Sequence, residues 1–144
     1  MKVKKAYFLG SVLIQMFVIT SLITASPVLV TPVTADGTLP WGNVMTWVLF
    51  ILFPLNFLLL RKKRRVHPIP KNVYAGAVGL SLILGICWLP VSYALAGNWS
   101  ASFSGGGTNQ KVWAVYTYAT PILPFAGYFL MRLLSVFFKL KGAN

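Results

Sequence analysis

Four long apolar runs constrain this chain more than any other feature of its sequence. They cover approximately residues 6–28, 44–60, 73–95 and 112–138, and only the fourth contains a formally charged residue, Arg132. A helix needs about 20 apolar residues to cross the hydrocarbon core of a bilayer. Strand-like alternation of apolar and polar residues is absent from the sequence, so a membrane-spanning barrel is not expected. The sequence therefore predicts an all-α integral membrane protein, a bundle of four transmembrane helices forming a single membrane domain over residues 1–144.

Charge is distributed asymmetrically along the chain. Its 13 Lys and Arg residues outnumber a single acidic residue, Asp36, and charged residues make up 10% of the sequence, against about 25% in soluble domains. Basic residues precede the first run, separate the second from the third and flank the end of the fourth, whereas the other loops contain only Lys111. Because loops rich in Lys and Arg stay cytoplasmic, we expect both termini to be cytoplasmic. The predicted location is the plasma membrane or a bacterial inner membrane, as a multi-pass protein.

The first run has an alternative interpretation as a signal peptide, with Lys2, Lys4 and Lys5 as its basic region. Its apolar stretch is long for a signal peptide, and cleavage after Ser26 would leave Pro27 at the new N-terminus. We therefore expect a retained helix. Cleavage would leave the predicted orientation of the other three helices unchanged.

Small and polar residues within the runs predict how the helices pack. Ala77, Ser81 and Gly85 recur every four residues, which places them on one helix face that a neighbouring backbone can approach closely. Packing within the bundle is the simpler interpretation, and packing against another protein is the alternative. We expect Gln15 and Asn56 to form hydrogen bonds between helices, with a ligand or ion contact as the alternative. On this interpretation, Asn56→Leu loosens the bundle.

Each proline within a predicted helix leaves one backbone carbonyl of that helix without its N–H donor. A proline lacks the N–H that would bond to the carbonyl four residues earlier. The residues whose carbonyls are freed by Pro54, Pro90, Pro121 and Pro124 are Phe50, Ile86, Thr117 and Thr120. In lipid, such carbonyls must bond to neighbouring helices, hydroxyl groups or water. The two prolines of the fourth run make it the best candidate for a broken helix, and a cavity shaped by kinks is the functional alternative to a purely structural role.

The tryptophans are concentrated on the predicted outer side of the membrane. They are Trp41, Trp47, Trp88, Trp99 and Trp113. Tryptophan is enriched at membrane–water interfaces because its indole has a polar edge and an apolar body. Anchoring alone does not require so many on one side. We therefore consider an outer aromatic pocket formed by Trp47, Trp88 and Trp113, with a lipid, a quinone, a pigment or a partner helix as its occupant.

The strongest charge feature is a basic cluster between the second and third runs. Its residues are Arg61, Lys62, Lys63, Arg64 and Arg65. Such a cluster directs the topology and attracts anionic lipids near the membrane surface. We expect it to contact anionic lipid or a partner protein. Nucleic-acid binding is not expected, because the cluster lies at the bilayer surface without a folded domain beside it.

Most catalytic and cofactor chemistry lacks the necessary residues in this sequence. There is no Glu, and His67 and Cys87 are the single histidine and cysteine. Carboxylate pairs, paired haem ligands, dithiol redox centres and metal-binding clusters are therefore not predicted. A serine nucleophile would have no plausible base within the membrane. We expect no enzyme activity, no metal and no cofactor.

These features favour a supporting role over chemistry. We expect a non-catalytic accessory or assembly subunit of a larger integral membrane complex, with an energy-converting complex as one candidate. It would act by packing its helices beside a catalytic core and by sealing lipid or cofactor, so its partners would be membrane lipids and other integral membrane subunits. The main alternative is a small homo-oligomeric transporter, channel or lipid flippase. An enzyme acting on lipids and a holin-like protein are weaker alternatives.

Overall fold

Four long α-helices and one short 3₁₀ turn form the part of the chain that the structure describes. The computed structural model describes residues 2–59, 68–103 and 107–141, with side chains for residues 6–59, 69–103 and 107–138. The elements are α1 (Lys2–Ile23), the 3₁₀ turn (Pro27–Val30), α2 (Trp41–Leu59), α3 (Pro68–Ala96) and α4 (Thr108–Lys141). All four helices are long and apolar enough to span a membrane. This confirms the prediction of an all-α chain with four candidate transmembrane segments.

The first helix is shorter than its apolar run. α1 ends at Ile23, where Ala25 adopts a left-handed conformation with φ of 47°. The N–H of Ser26 then donates to the carbonyl of Ser21 at 3.1 Å, as in helix termini closed by a left-handed residue. Pro27 follows and begins the 3₁₀ turn. The apolar residues that follow Ile23 therefore belong to the connection to α2 and not to α1.

The helices continue through their prolines. α4 runs from Thr108 to Lys141 and includes both Pro121 and Pro124, so the expected break in the fourth run is not found. α2 and α3 likewise continue past Pro54 and Pro90. At Pro90 and Pro124, side chains of neighbouring helices supply the missing hydrogen bonds, as the contacts described below show.

Consecutive helices run antiparallel, and they pack unequally. α3 and α4 have the most extensive contact, and α2 packs against both of them. Among the described residues, α2 is the only helix with which α1 has an extensive contact. The chain therefore forms a three-helix core, α2–α4, with α1 attached to one side of α2.

The two ends of this assembly differ in composition. We call the end at which α1 and α3 begin and α2 and α4 end the basic end, because the runs of Lys and Arg in the sequence adjoin it. The opposite end, the tryptophan end, includes Trp41 at the start of α2 and Trp113 near the start of α4. The antiparallel order thus brings the beginning of the first helix and the end of the last helix to the same end.

Two glycines allow the helices of the core to approach closely. A Cβ atom on Gly85 in α3 would collide with the carbonyl of Phe50 in α2. A Cβ atom on Gly127 in α4 would collide with the Cβ of Ala77 in α3. Apolar side chains gain little from contact with each other in lipid, so close packing of small residues replaces the hydrophobic effect. These glycines set the distance between α3 and both of its neighbours.

We predict that Gly85→Ala destabilises the protein. The added methyl group forces α2 and α3 apart at a cost of about 1–3 kcal/mol, which outweighs the gain of roughly 1 kcal/mol in helix propensity. Gly79→Ala is the matched control, because a Cβ on Gly79 meets nothing within 4 Å. The thermal midpoint in detergent, followed by near-UV circular dichroism, should fall for Gly85→Ala and stay constant or rise for Gly79→Ala. Equal midpoints would contradict the close approach.

Candidate functional site: a tryptophan layer and a cleft at the basic end

Trp47 supplies a hydrogen bond that a proline removes from α3. Pro90 has no N–H to donate to the carbonyl of Ile86. The indole N–H of Trp47 in α2 donates to that oxygen instead, at 2.9 Å. An unpaired backbone carbonyl is costly in lipid, where no water replaces the missing donor. Trp47 therefore stabilises α3 at its proline and joins α2 to α3 at the same point.

The same arrangement occurs between α3 and α4. Pro124 removes the donor to the carbonyl of Thr120, and the hydroxyl of Ser81 in α3 donates to that carbonyl at 2.6 Å. Ser81 and Thr120 are both fully buried. The carbonyl of Phe50, freed by Pro54, lies against Gly85. Proline sites on all three core helices thus coincide with contacts between helices.

Two further indoles join α3 to α4 in opposite directions. Trp88 in α3 donates to the hydroxyl of Thr117 in α4, and Trp113 in α4 donates to the hydroxyl of Ser92 in α3, both at 2.9 Å. Trp88 and Ser92 are almost completely buried. A buried indole N–H without an acceptor is costly, so these two pairs specify the register of α3 against α4.

The three tryptophans of the predicted outer pocket belong to one packed layer, which we call the tryptophan layer (Trp47, Trp88, Trp113 and Phe50). The rings of Trp88 and Phe50 meet edge to face, with 5.3 Å between centroids, and Trp113 lies 6.3 Å from Trp88. Trp47 packs against the same cluster. Because each indole N–H bonds to an acceptor of this chain, the layer joins helices in this structure. A ligand-binding role for these tryptophans stays a prediction.

The small residues of α3 lie at contacts with both neighbouring helices. Ala77 meets Gly127 in α4, and Ser81 bonds to the backbone of α4. Gly85 faces α2 instead, at the carbonyl of Phe50. A single stripe along α3 therefore serves two partners within the chain, with Ala77 and Ser81 at α4 and Gly85 at α2.

The two amide side chains expected to join helices behave differently in the structure. Gln15 is almost buried, and its Nε2 donates to the hydroxyl of Ser11 at 3.4 Å, within α1 and not between helices. Asn56 is 7% exposed, and its Oδ1 accepts no hydrogen bond from the described residues. A buried acceptor without a donor costs about 1–3 kcal/mol. Among the described residues, Oδ1 of Asn56, near the basic end of α2, therefore has no donor.

This geometry reverses the effect that the sequence predicts for Asn56→Leu. In the purified protein, the substitution removes an unpaired acceptor, so we expect the thermal midpoint in detergent to stay constant or rise. Ser81→Ala is the comparison variant, because it leaves the carbonyl of Thr120 unpaired and should lower the midpoint. A fall for Asn56→Leu as large as that for Ser81→Ala would show that Asn56 has a stabilising partner.

A cleft of about 520 Å³ opens at the tryptophan end, where Asn43 and Ser100 contribute to its lining.

Asp36 lies in the turn that adjoins this cleft, and the amide and hydroxyl of Thr38 donate to its carboxylate at 3.3 and 2.9 Å. Interaction with the side chains of Thr34 and then Thr38 holds the pKa of Asp36 below its usual value. The one acidic side chain of the sequence therefore closes a turn.

A second cleft, of about 600 Å³, lies between α1 and α2 towards the basic end. Its lining residues are Ala6, Tyr7, Gly10, Ser11, Ile14 and Leu52. A Cβ atom on Gly10 would meet nothing within 4 Å, so this glycine leaves the cleft open. The sequence alone does not predict this cleft, because the cleft depends on how α1 packs on α2.

Three residues that bond across helices were not predicted from the sequence. The hydroxyl of Tyr116 donates to the backbone carbonyl of Leu84. The hydroxyl of Tyr74 donates to the backbone carbonyl of Phe57 at 3.2 Å. Ser92 accepts the indole N–H described above. Polar residues in apolar runs are the signal that marks all three. Their partners depend on the register between helices, which one sequence does not contain.

The basic cluster Arg61, Lys62, Lys63, Arg64 and Arg65 lies outside the described residues. Among the residues that the structure describes, no group of three or more His, Cys, Asp or Glu could hold a metal ion.

Comparison with protein-family models, with curated proteins and with solved structures finds no match to this chain. Function is therefore inferred from the residues and their geometry.

Proposed function

We propose that this protein is a non-catalytic accessory or assembly subunit of a larger integral membrane complex, with an energy-converting complex as one candidate. The observation that carries the proposal is the contrast between the core and α1. Within α2–α4, the N–H groups of Trp47, Trp88 and Trp113 bond to groups of the core itself. α1 packs on α2, and most of its apolar side chains are exposed.

This contrast favours packing over chemistry. Helices in lipid associate through close packing and hydrogen bonds, because their apolar surfaces gain nothing over lipid. The core uses its polar groups for its own cohesion and forms a scaffold. α1 contacts α2 on one side, and another subunit would pack against its remaining faces, which include Leu13 and Phe17. The chain would then act by burying surface and sealing lipid at the edge of a complex.

We place both termini on the cytoplasmic side of a plasma membrane or bacterial inner membrane. The tryptophan end has one basic residue, Lys111 in the first turn of α4, and the remaining Lys and Arg residues adjoin the basic end in the sequence. Short basic loops stay cytoplasmic during insertion. The cluster from Arg61 to Arg65 would then contact anionic lipid or a neighbouring subunit, with no role for nucleic acid.

A small homo-oligomeric transporter, channel or lipid flippase is the second candidate. Asn56 favours it, because an unsatisfied polar group inside a membrane helix is a possible contact for a substrate. The cleft between α1 and α2 favours it as well, since a groove open at the side of the core admits a lipid. Neither passive conduction nor lipid flipping requires a carboxylate.

Native gel electrophoresis in mild detergent, at native expression level, separates the two candidates. We expect the protein to migrate in a large assembly, and mass spectrometry to find partners in stoichiometric amounts. An unrelated four-helix membrane protein with the same tag and expression level is the control for co-solubilised neighbours. Migration as a small homo-oligomer would contradict the subunit proposal. Flux through liposomes that contain the purified protein alone would then support the second candidate.

A further inference from the structure

We propose that the cleft at the basic end binds one acyl chain of an anionic phospholipid, whose phosphate lies at the level of the first turn of α1. This lipid site goes beyond the subunit role and does not depend on it. Three properties carry the proposal: the size and lining of the cleft, its depth in the membrane, and the charge beside its mouth.

The lining of the cleft suits an apolar chain. Its volume of about 600 Å³ falls within the range of roughly 300–1,000 Å³ found for small-ligand sites. Gly10 and Ile14 of α1 and Leu52 of α2 form apolar walls. The hydroxyl of Ser11, a polar group in the wall, already accepts a hydrogen bond from Gln15. An apolar chain therefore meets matching surfaces, and a polar ligand would find few free partners.

The depth of the cleft matches one leaflet of a bilayer. Residues from Ala6 to Ile14 line it, a rise of about 12 Å along α1, and half of a hydrocarbon core is about 15 Å thick. Tyr7 lines the cleft near the start of α1 and is 69% exposed. Tyrosine is enriched at the level of lipid headgroups, because its ring is apolar and its tip is polar. The cleft thus follows the course of an acyl chain from the headgroup level inwards.

The sequence directly before the first lining residue of the cleft is basic, which favours an anionic lipid. Lys2, Lys4 and Lys5 belong to the first turn of α1, directly before Ala6. The one acidic side chain of the sequence, Asp36, lies in the connection at the tryptophan end. Lysines near a membrane surface attract anionic lipids. A phospholipid joins a phosphate to an apolar chain at the headgroup level, so it complements the lysines and the cleft together. This charge favours a lipid over a neutral partner helix.

Native mass spectrometry of the purified full-length protein tests the site. The protein is incubated with equal amounts of phosphatidylglycerol and phosphatidylcholine with identical acyl chains, and we expect preferential retention of phosphatidylglycerol. Gly10→Leu fills the cleft and should lower the affinity for phosphatidylglycerol about ten-fold. Gly76→Leu is the matched control, since its Cβ also meets nothing within 4 Å, and it should change the affinity less than about two-fold. Equal retention by Gly10→Leu and the wild type would overturn the proposal.

Further variants test the acyl-chain site and the position of the headgroup separately. If Gly10→Leu does not fold, as judged by circular dichroism and gel filtration, Ala6→Leu fills the same cleft from one turn away. Substitution of Lys2, Lys4 and Lys5 by Gln should reduce the preference for phosphatidylglycerol, and the preference that remains, due to the other basic residues of this end such as Arg61 to Arg65, should not respond to Gly10→Leu. An unchanged preference after this substitution would overturn the placement of the headgroup. Displacement of the bound lipid by inorganic phosphate would overturn the acyl-chain site.

Discussion

The structure depends on backbone carbonyls that have lost their donors in a medium that offers no replacement. Prolines inside α3 and α4 remove the N–H groups that would bond to Ile86 and Thr120. Trp47 and Ser81 supply the missing hydrogen bonds from neighbouring helices. Because water is excluded from the hydrocarbon core, separation of these helices would expose unpaired carbonyls to lipid. Pro90 and Pro124 therefore make α3 and α4 dependent on their neighbours, and that dependence helps to hold the core together.

The core of α2–α4 and the first helix, α1, therefore have different roles in the proposed function. The core of α2–α4 has polar groups that bond to one another and glycines that keep its backbones close, which suits a rigid support. α1 adds a cleft and an exposed apolar surface at one side of α2. The proposed contacts with lipid and with other subunits therefore belong to α1 and the basic end. The tryptophan layer stabilises the other end, where its indole N–H groups form hydrogen bonds between helices.

Properties that depend on one helix at a time could be predicted from the sequence. The four spans follow from the length of the apolar runs, and the acceptors freed by proline follow from spacing along one helix. Contacts that require two helices could not be predicted, because rotation and register are absent from a single sequence. Trp88 was considered as part of an outer pocket, and the sequence did not identify Thr117 of α4 as the acceptor of its N–H. Asn56 was expected to join helices, yet its Oδ1 has no donor among the described residues. The cleft at Gly10 likewise depends on where α1 docks.

The most direct test of the central claim is a thermodynamic cycle between Trp47→Phe and Pro90→Ala, measured as free energies of unfolding in detergent or bicelles. Trp47→Phe leaves the carbonyl of Ile86 unpaired when residue 90 is proline. In the Pro90→Ala background, the restored N–H bonds to that carbonyl within α3, so the loss of the indole should matter less. We predict that Trp47→Phe costs more in the proline background, with a coupling of about 0.6–1.7 kcal/mol. Equal losses in both backgrounds would contradict the account.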